Sequence, residues 1–456
     1  MPRPGLVNWA DAGARSGGRA LKPGRGFTTI EAVVQAVILA AGKSTRAFPL
    51  TDTRPKPLIP ILGKPLLQHQ LEQISGLASQ AILVIGYLGH QVRDRFGDRF
   101  SGLELTYVEQ DPPRGTADAL ARARPLIRER ALILNGDDLY HAHDLKALLR
   151  HRTGLLVSQA PDPQNRGVVT ISGDQVTDIV EKPAAAAAHA LCSVGAYTFE
   201  RGALALLDQV KASPRGELEL PELLRLVARN VPVRYHRVER VWCPITYAWD
   251  VLSTTDFLLS DSSRARDFGV EVMSLGHLKE RRDINLGIGT RLFGPVLVGP
   301  GVTFGNYCRI RGPAVIEAGC ALGDCVEIDR SVLFRGARVG EFARVSHSVL
   351  GELAQVGPEA RVLSSPAPGE PSAQRVGGPE RIATGVGSPS QERDGAPTQQ
   401  ETVKIELRGA PVDTGLEELG LIAGDRARVP AKAETPPGTL LESGETYGSS
   451  RALTLA

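Results

Sequence analysis

The chain has 456 residues, enough for at least two domains with proper hydrophobic cores. Its 53 basic and 51 acidic residues give a net charge of +2 without a dominant basic stripe, which argues against a dedicated nucleic-acid binder. Five cysteines without a paired framework favour a reducing cytoplasm, and no run reaches the roughly 20 apolar residues that a membrane helix needs.

The first part of the chain divides into an extension and an α/β domain. Residues 1–34 are rich in Gly, Arg and Ala without a continuous apolar stretch, which predicts a disordered extension. From 35 to 262, apolar strands alternate with amphipathic helices, which predicts a Rossmann-like, doubly wound, mostly parallel sheet with ligands at the strand C-terminal ends. The candidate strands include 81–85, 103–108 and 131–134, and the candidate helices are 66–77 and 117–129.

The first strand ends in a loop with the composition of a phosphate site. An Ala-Ala-Gly exit lets the backbone approach a ligand closely, with N–H groups free to point at an anion. Arg46 follows in the loop, and Lys56 lies in a Pro-Lys-Pro element ten residues later, so two cations come to one place. The pattern predicts a triphosphate site whose loop residues are Leu39, Ala40, Ala41, Gly42 and Lys43.

Three further segments supply candidate side chains for a base, a metal and a sugar phosphate. Gln110 offers one acceptor and two donors, which suits the N3–H and O4 edge of uracil or thymine. Asp137 and Asp138 follow a buried strand as candidate carboxylates for Mg²⁺, although Asp138 could instead cap the next helix, and His141 with His143 is interpreted as a surface pair. Lys182, in Glu-Lys-Pro, offers a point charge for a phosphate.

In order and spacing these segments resemble the signature of sugar-1-phosphate nucleotidyltransferases. That family has Gly-x-Gly-Thr-Arg, then Pro-Lys-Pro, Glu-Gln-x4-Gly-Thr-Ala, Gly-Asp and Glu-Lys-Pro. The resemblance implies catalytic roles for Arg46, Lys56 and Lys182, and Mg²⁺ on Asp137. It further implies the nucleotide contacts Gln110, Gly115 and Thr116 and the sugar-phosphate contacts Gly167, Glu181, Lys182 and Ser193.

The sequence departs from that signature at three positions. Ser44 stands where the second glycine of the loop is usual, and Ser193 stands where an asparagine is usual. Pro244 stands where the family has a second metal-binding aspartate, and proline has no ligating side chain. Asp250 is a candidate replacement, although it is expected on the following helix. The departure at Pro244 predicts weaker metal binding, with the ion held either by Asp137, phosphates and water alone or with another carboxylate as substitute.

After residue 284 the apolar period changes to six, which is typical of a solenoid. The hexad resembles the hexapeptide repeats of left-handed parallel β-helices and predicts such a helix over 284–363, with one-residue slips at Leu333 and Leu350. Pro, Gly, Ser and charge dominate 364–400, which predicts a flexible insertion. A residual helix-associated segment (401–430) and an unstructured tail (431–456) are expected to follow. The hexad positions are Leu286, Leu292, Val298, Phe304, Ile310, Ile316, Leu322 and Ile328.

The order of these domains resembles archaeal-type bifunctional N-acetylglucosamine-1-phosphate uridylyltransferases that also acetylate glucosamine-1-phosphate. In that family a catalytic Pro-His-x-Asn-Tyr element lies in the β-helix, but here Glu341, Ala343 and Arg344 replace His, Asn and Tyr. Acetyl transfer is therefore expected to be lost, and the β-helix is expected to build a homo-oligomer, with a trimer as the usual form. A bifunctional enzyme, a guanylyl-transferring relative and a weakly catalytic regulatory paralogue remain alternatives.

Overall fold

The structure is a computed structural model that describes residues 34–160, 162–272, 278, 280–365 and 402–449. The expected extension at 1–34, apart from Val34, lies outside the described residues. So does the expected insertion at 364–400, apart from its first two residues. None of the described helices is both long and apolar enough to cross a membrane.

The first domain alternates strands and helices from residue 35 to residue 267. In chain order its elements are β1 (Gln35–Ala40), β2 (Pro60–Ile61), β3 (Lys64–Pro65), α1 (Leu66–Ile74), β4 (Gln80–Ile85), α2 (Gly89–Phe96), β5 (Arg99–Phe100), β6 (Leu103–Glu109), α3 (Thr116–Ala123), β7 (Arg130–Asn135), β8 (Asp138–Tyr140), α4 (Ala142–Leu148), β9 (Gly154–Gln159), β10 (Gly167–Ser172), β11 (Gln175–Glu181), β12 (Leu191–Glu200), α5 (Leu220–Ala228), β13 (Val233–Arg237), β14 (Trp242–Pro244), α6 (Asp250–Leu259) and α7 (Ser262–Asp267).

Ten of these strands form one mixed sheet in the order β10-β11-β13-β9-β12-β7-β1-β4-β6-β5. Strands β7, β1, β4 and β6 lie side by side and run parallel, which confirms the predicted α/β fold. Strands β7, β1 and β4 contribute apolar side chains to two separate hydrophobic clusters, one on each face of the sheet, whereas β6 has the exposed residues Glu104 and Glu109. The predicted helix 117–129 ends earlier, at Ala123, because Pro125 lies in a 3-10 turn that follows at once.

The second domain is a parallel β-helix. Its strands are β15 (Asn285–Leu286), β16 (Arg291–Phe293), β17 (Val296–Val298), β18 (Thr303–Phe304), β19 (Arg309–Arg311), β20 (Ala314–Ile316), β21 (Ala321–Leu322), β22 (Glu327–Asp329), β23 (Val332–Leu333), β24 (Arg338–Val339), β25 (Arg344–Ser346), β26 (Val349–Leu350), β27 (Gln355–Val356), β28 (Arg361–Val362), β29 (Lys404–Leu407), β30 (Ala410–Asp413), β31 (Leu421–Ala423), β32 (Arg428–Val429), β33 (Glu434–Thr435) and β34 (Thr439–Leu441).

Three six-stranded sheets form the walls of the β-helix, and β29 and β30 form a separate hairpin. Stacked partners in the first coils lie 18 residues apart, as in Arg291 and Arg309, which is three hexads per turn of a left-handed β-helix. Later partners lie 17 apart, as in Leu333 and Leu350. The shorter coils account for the two one-residue slips in the sequence pattern, and the hexad residues form one continuous core.

The expectation that 431–456 is unstructured is wrong for residues 431–449. Strands β33 and β34 add a further coil, with β33 paired to β28 and β34 paired to β31. Thr435 and Leu441 are fully buried and continue the six-residue spacing from Ala423 and Val429. The hexads were missed because alanine and threonine occupy two of the four inward positions.

The third β-helix sheet (β17, β20, β23, β26, β31 and β34) packs on the first domain. Its outward side chains share one buried cluster with Trp249, Leu258 and Phe268 of the first domain. Strands of this sheet are therefore apolar on both faces, one face toward the β-helix core and one toward the first domain. The outward side chains are Leu297, Val315, Val332, Val349 and Ile422.

Glu317 is a buried carboxyl at the interface between the domains. Its Oε2 accepts the N–H of Arg335 at 3.1 Å, and its Oε1 has no partner. Burial raises the pKa of Glu317 to about 8, against the opposing charge of Arg54. At pH values between 4.5, the ordinary pKa, and about 8, the pKa in the folded protein, the unfolded chain releases this proton while the folded protein keeps it. This group therefore lowers stability as pH rises through that window.

We expect Glu317→Gln to raise the free energy of unfolding at pH 8 by at least about 1 kcal/mol, since one pKa unit is worth about 1.4 kcal/mol. At pH 4.5 the gain should largely vanish, because the wild-type side chain is protonated in the folded state and half protonated in the unfolded chain, so that little proton release favours unfolding. Urea unfolding at both pH values measures the difference, with exposed Glu341→Gln as control. An equal gain at both pH values would contradict the shifted pKa.

Candidate active site

The candidate site lies at the carboxyl ends of the four adjacent parallel strands β7, β1, β4 and β6. The loop after β1 holds Gly42 to Arg46, Gln110 directly follows β6, and Asp137 lies two residues after β7. Glycines bring these segments into contact: a Cβ on Gly86 would lie 2.6 Å from the carbonyl oxygen of Ala41 and 2.9 Å from that of Gln110. The loop after β1 and Gln110 are therefore held against each other.

Lys56 and Asp137 form the charged centre of the site. The Lys56 ammonium lies 2.7 Å from Oδ2 of Asp137, and the lysine side chain is 4% exposed against 42% for the aspartate. Partial burial alone would raise the pKa of Asp137, but Lys56 and then Arg46 outweigh it and hold this pKa below its ordinary value. Asp137 is therefore an accessible, ionised carboxylate with a cation fixed behind it.

Arg46, in the loop after β1, is the second cation whose charge acts on Asp137. Its guanidinium lies over the ring of Tyr247 at 5.9 Å, and Tyr247 stacks on Trp249 with ring centroids 4.5 Å apart. Ser44 adopts a left-handed conformation with φ of 50°, which is the backbone state that glycine favours. The loop therefore keeps the path that the family's glycine would give it, although Ser44 stands there.

Asp138 does not cap the next helix, contrary to one interpretation of the sequence. Helix α4 is capped by His141, whose Nδ1 accepts the N–H of His143. Burial and the Asp137 charge raise the pKa of Asp138 to about 7. The single Tyr140 hydroxyl proton has two acceptors in reach, Oδ2 of Asp138 at 3.0 Å and the carbonyl of Val194 at 2.9 Å. A neutral Asp138 can donate to the Tyr140 hydroxyl oxygen. The hydroxyl proton of Tyr140 is then free to donate to the carbonyl of Val194.

Asp250 does not replace the missing second metal ligand. It begins α6, and one of its carboxylate oxygens, Oδ2, accepts the N–H groups of Thr246 and Tyr247 at 2.6 and 2.7 Å. Pro244 pairs with Asp138 across the short β14–β8 ribbon. His141 and His143 face different acids, Asp267 and Glu239, so they do not converge on one site.

The residues present fit a Mg²⁺ ion held to the protein by a single carboxylate. No group of three or more His, Cys, Asp or Glu side chains suited to a metal occurs among the described residues. Mg²⁺ is commonly bound through one or two carboxylates plus substrate phosphates and water. Asp137 meets that requirement because it is ionised and exposed, whereas Asp138 is buried and bonded to Tyr140.

The Gln110 side chain is fixed by internal hydrogen bonds. Its Nε2 donates to the carbonyl of Gly115 at 3.0 Å and to Oδ2 of Asp118 at 2.8 Å. Because both neighbours are acceptors, the amide orientation is determined, and Oε1 is left to accept a hydrogen bond. Both amide protons are used internally, so Gln110 cannot donate to a base as well. The sequence predicted that Gln110 would both accept from the N3–H and donate to the O4 of uracil or thymine.

Gly115 and Thr116 are placed by packing against the segment before α5. A Cβ on Gly115 would lie 2.2 Å from the carbonyl oxygen of Leu218, and Oγ1 of Thr116 accepts the N–H of Leu220 at 3.0 Å. The glycine is therefore required by a backbone approach within the protein. The N-terminus of α3 lies beside Gln110, which bonds the carbonyl of Gly115, and the N–H of Ala117 donates to the carbonyl of Leu218 at 2.9 Å.

The candidate sugar-phosphate residues come together on β10, β11 and β12. Gly167 pairs with Glu181, and a Cβ on Gly167 would lie 3.0 Å from Oε2 of that glutamate. Lys182 is exposed with φ of 46°, and its N–H bonds the carbonyl of Arg166 at 2.9 Å. Ser193 donates to the Tyr197 hydroxyl at 2.8 Å. This serine is therefore already bonded within the protein.

Sequence reasoning did not assign a role to Arg166. Its guanidinium bonds Asp162 at 2.7 Å and lies over the Trp242 ring at 4.9 Å. Its charge lowers the pKa values of both Asp138 and Asp250 against the effect of burial. A cation directly before Gly167, a candidate sugar contact, was the available signal, but only the fold shows that its charge acts on these acidic residues.

Two family models match this chain, and together they span both domains. A model described as nucleotidyl transferase matches residues 35–260, and one described as the GMPPB C-terminal domain matches 292–372.

Among curated proteins, the chain is 31% identical over 227 residues to the bifunctional protein GlmU of Methanocaldococcus jannaschii, covering 50% of this chain and 54% of that protein. It is 25% identical over 311 residues to a bifunctional sugar-1-phosphate nucleotidylyltransferase/acetyltransferase of Sulfurisphaera tokodaii, covering 67% and 76%. It is 32% identical over 206 residues to the UTP–glucose-1-phosphate uridylyltransferase AglF of Haloferax volcanii, covering 43% and 84%.

The chain spans about half the length of the GlmU proteins it matches. The AglF relative is covered over most of its length at more than 30% identity. The order of the parallel strands, the charged Lys56–Asp137 pair at their carboxyl ends and these matches all point to the same family. The chain belongs to the nucleotidyl transferase family of sugar-1-phosphate nucleotidyltransferases.

Proposed function

We propose that the protein transfers UMP or dTMP from UTP or dTTP to a hexose- or N-acetylhexosamine-1-phosphate and releases pyrophosphate. The observation that carries this proposal is the Lys56–Asp137 pair at the carboxyl ends of the parallel strands, with Gln110 fixed one loop away. The named relatives use UTP and glucose-1-phosphate in one case and sugar-1-phosphates in another.

The proposed reaction needs no covalent enzyme intermediate. An oxygen of the sugar-1-phosphate attacks the α-phosphorus in line, the bond from the α-phosphorus to the bridging oxygen breaks, and pyrophosphate leaves. Lys56, Arg46 and Lys182 hold the phosphates and stabilise the negative charge that develops in the transition state. Mg²⁺ on Asp137 would neutralise phosphate charge when bound.

The Gln110 geometry limits which bases fit. Oε1 accepts a hydrogen bond, so it suits the N3–H of uracil and thymine and also the N1–H of guanine, but not the unprotonated ring nitrogens of adenine or cytosine. Guanylyl transfer is therefore a second candidate, and the match of residues 292–372 to the GMPPB C-terminal domain favours keeping it.

Base reading is tested by pyrophosphate release with UTP, dTTP, GTP, ATP and CTP, using wild type and Gln110→Ala. We expect wild type to prefer UTP or dTTP over ATP and CTP by at least about 100-fold, since a site built to hydrogen-bond one edge rejects ligands lacking it. Gln110→Ala should reduce that preference to about tenfold or less. A preference for ATP in wild type would contradict the assignment of Gln110.

We propose that the β-helix does not transfer acetyl groups. Glu341 is exposed, Ala343 is a fully buried core residue, and Arg344 lies 3.7 Å from Glu327 on the same wall. Consumption of acetyl-CoA with glucosamine-1-phosphate would instead support the bifunctional alternative, which the printed names of two relatives favour. Nucleotide binding without turnover would support the regulatory alternative, which Pro244 favours.

A homo-oligomer, with a trimer through the β-helix, stays a prediction, as does the cytoplasmic location. Support for self-association comes from one corner of the β-helix, where three large apolar side chains are exposed. Light scattering of the purified protein tests the oligomeric state. The three side chains are Ile288 at 75%, Tyr307 at 62% and Phe342 at 57% exposure.

A further inference from the structure

The segment that carries two of the three proposed catalytic cations is held from inside the first domain at several points. This basic loop, defined as residues 42–56, contains Arg46 and Lys56. The Thr51 hydroxyl bonds the carbonyl of Ser44 at 3.2 Å, and the Tyr87 hydroxyl lies 3.2 to 3.3 Å from two carbonyls of the loop. Together with the bond from Nε2 of Gln91 to the carbonyl of Thr53 at 3.0 Å, these bonds fix the loop backbone as far as the residue before Arg54. The partners of the Arg54 side chain lie in the other domain.

Arg54 is placed by the β-helix. Its guanidinium bonds both carboxylate oxygens of Asp425, lies 3.5 Å from Glu352 and lies over the Phe334 ring at 5.6 Å. The neighbouring Thr53 hydroxyl also bonds Asp425. Arg54 is 9% exposed, so its charge depends on these acidic partners.

Asp425 is itself held firmly by the coils on either side. Its Oδ1 accepts the N–H of Glu352 in the preceding coil at 2.8 Å. Its own N–H donates to the Ser443 hydroxyl in the following coil at 3.1 Å. The N–H of Ser443 in turn donates to Asp52 of the basic loop at 3.3 Å. Two successive coils of the β-helix therefore bond to the basic loop, one through Asp425 and the next through Ser443.

The backbone between Arg54 and Lys56 has little conformational freedom. The sequence Arg54-Pro55-Lys56-Pro57 places a proline on each side of the lysine, and proline fixes its own φ near −65° and restricts the residue before it. Pro55 has φ of −71°, and a 3-10 turn begins at Lys56. Fixing the guanidinium of Arg54 therefore restricts where the Lys56 ammonium can lie.

We propose that Asp425 is a positioning residue for nucleotidyl transfer, acting through Arg54 to hold Lys56 at the phosphate site. This inference rests on the proposed function. Asp425 belongs to the coil that resumes after residues 366–401, so a part of the chain remote in sequence completes the geometry of the active-site loop. The β-helix is then a support of the transferase site as well as a separate domain.

The test compares Asp425→Asn with Asp324→Asn in the full-length protein. Asp324 is a matched control because its Oδ1 accepts the N–H of Asn306 from the preceding coil at 2.7 Å, just as Asp425 accepts that of Glu352. Both changes weaken the same kind of turn, but only Asp425 bonds Arg54. Equal urea midpoints show that both variants are folded.

Steady-state kinetics provide the first readout. We expect Asp425→Asn to lower kcat by about tenfold or more with KM for the nucleotide changed less than threefold, because Lys56 acts on charge that develops in the transition state. Asp324→Asn should stay within twofold of wild type, and Asp425→Glu should recover part of the loss. A folded Asp425→Asn variant with wild-type kcat would overturn the proposal.

Chemical labelling provides a second readout that needs no turnover. Acetylation of Lys56 by an N-hydroxysuccinimide ester, followed by peptide mass spectrometry, measures how well the ammonium is held against Asp137. We expect several-fold faster labelling in Asp425→Asn and no change in Asp324→Asn. Unchanged labelling in Asp425→Asn would contradict positioning even if the protein proved not to be a nucleotidyltransferase. Failure of wild type to turn over, with faster labelling in the variant, would contradict only the proposed function.

Discussion

Lys56→Met is expected to lower kcat/KM for pyrophosphate release by about 100-fold or more, which corresponds to roughly 2.7 kcal/mol of lost transition-state stabilisation. The ammonium is nearly buried and bonded to Asp137, so no other cation can move into its place without displacing packed side chains. The loss should fall mainly on kcat, because the charge on the phosphates grows in the transition state.

Lys64→Met is the matched control for this change. Lys64 also forms an ion pair, with Glu72 at 2.9 Å, but it lies in β3, two residues before α1, and donates to the carbonyl of Phe268. We expect activity within threefold of wild type for that variant. Similar losses in both variants would indicate a general effect on folding, and a Lys56→Met enzyme with near-normal kcat would contradict the assigned role.

Asp137→Asn is expected to cost about 100-fold or more in kcat/KM and to remove most of the response to Mg²⁺. The amide keeps the size of the side chain but loses the charge that an ion and Lys56 both use. Pro244 has no ligating side chain, and Oδ2 of Asp250 already accepts two backbone N–H groups, so we expect no second carboxylate to compensate for the loss. A titration of activity against Mg²⁺ for wild type and variant measures both effects.

Asp208→Asn serves as the control for Asp137→Asn. Asp208 is an exposed carboxylate paired with Arg124 on the surface, away from the strand ends of the site. Its removal should leave the Mg²⁺ response unchanged. An Asp137→Asn variant with a normal Mg²⁺ response would show that the ion is held without this residue, and the single-carboxylate site would be wrong.

The fold could be predicted from the sequence wherever apolar spacing is strict. The parallel strands at 81–85 and 131–134 are buried on both faces, and their near-continuous apolar runs show it. The β-helix followed from its hexads, and its slips matched coils of 17 residues. The last coil was missed because Thr435 fills an inward position that the pattern reserves for larger apolar side chains.

The candidate site was predicted in its residue types but not in its internal bonding. Motif order indicated Gln110, but only the fold shows that Asp118 and Gly115 occupy both of its amide protons. Side-chain partners four or more residues away, or across a sheet, leave no local pattern in the sequence. The bond between Arg54 and Asp425 is an extreme case, because the two residues are 371 positions apart.

The most direct test of the account is pyrophosphate release by the wild-type protein with Mg²⁺ and UTP or dTTP. Each nucleotide would be paired with glucose-, N-acetylglucosamine- and mannose-1-phosphate. The account predicts turnover with at least one pair, and loss of that turnover in Lys56→Met. No turnover with any pair, while UTP or dTTP still binds, would contradict the claim that one carboxylate and its lysine suffice for transfer.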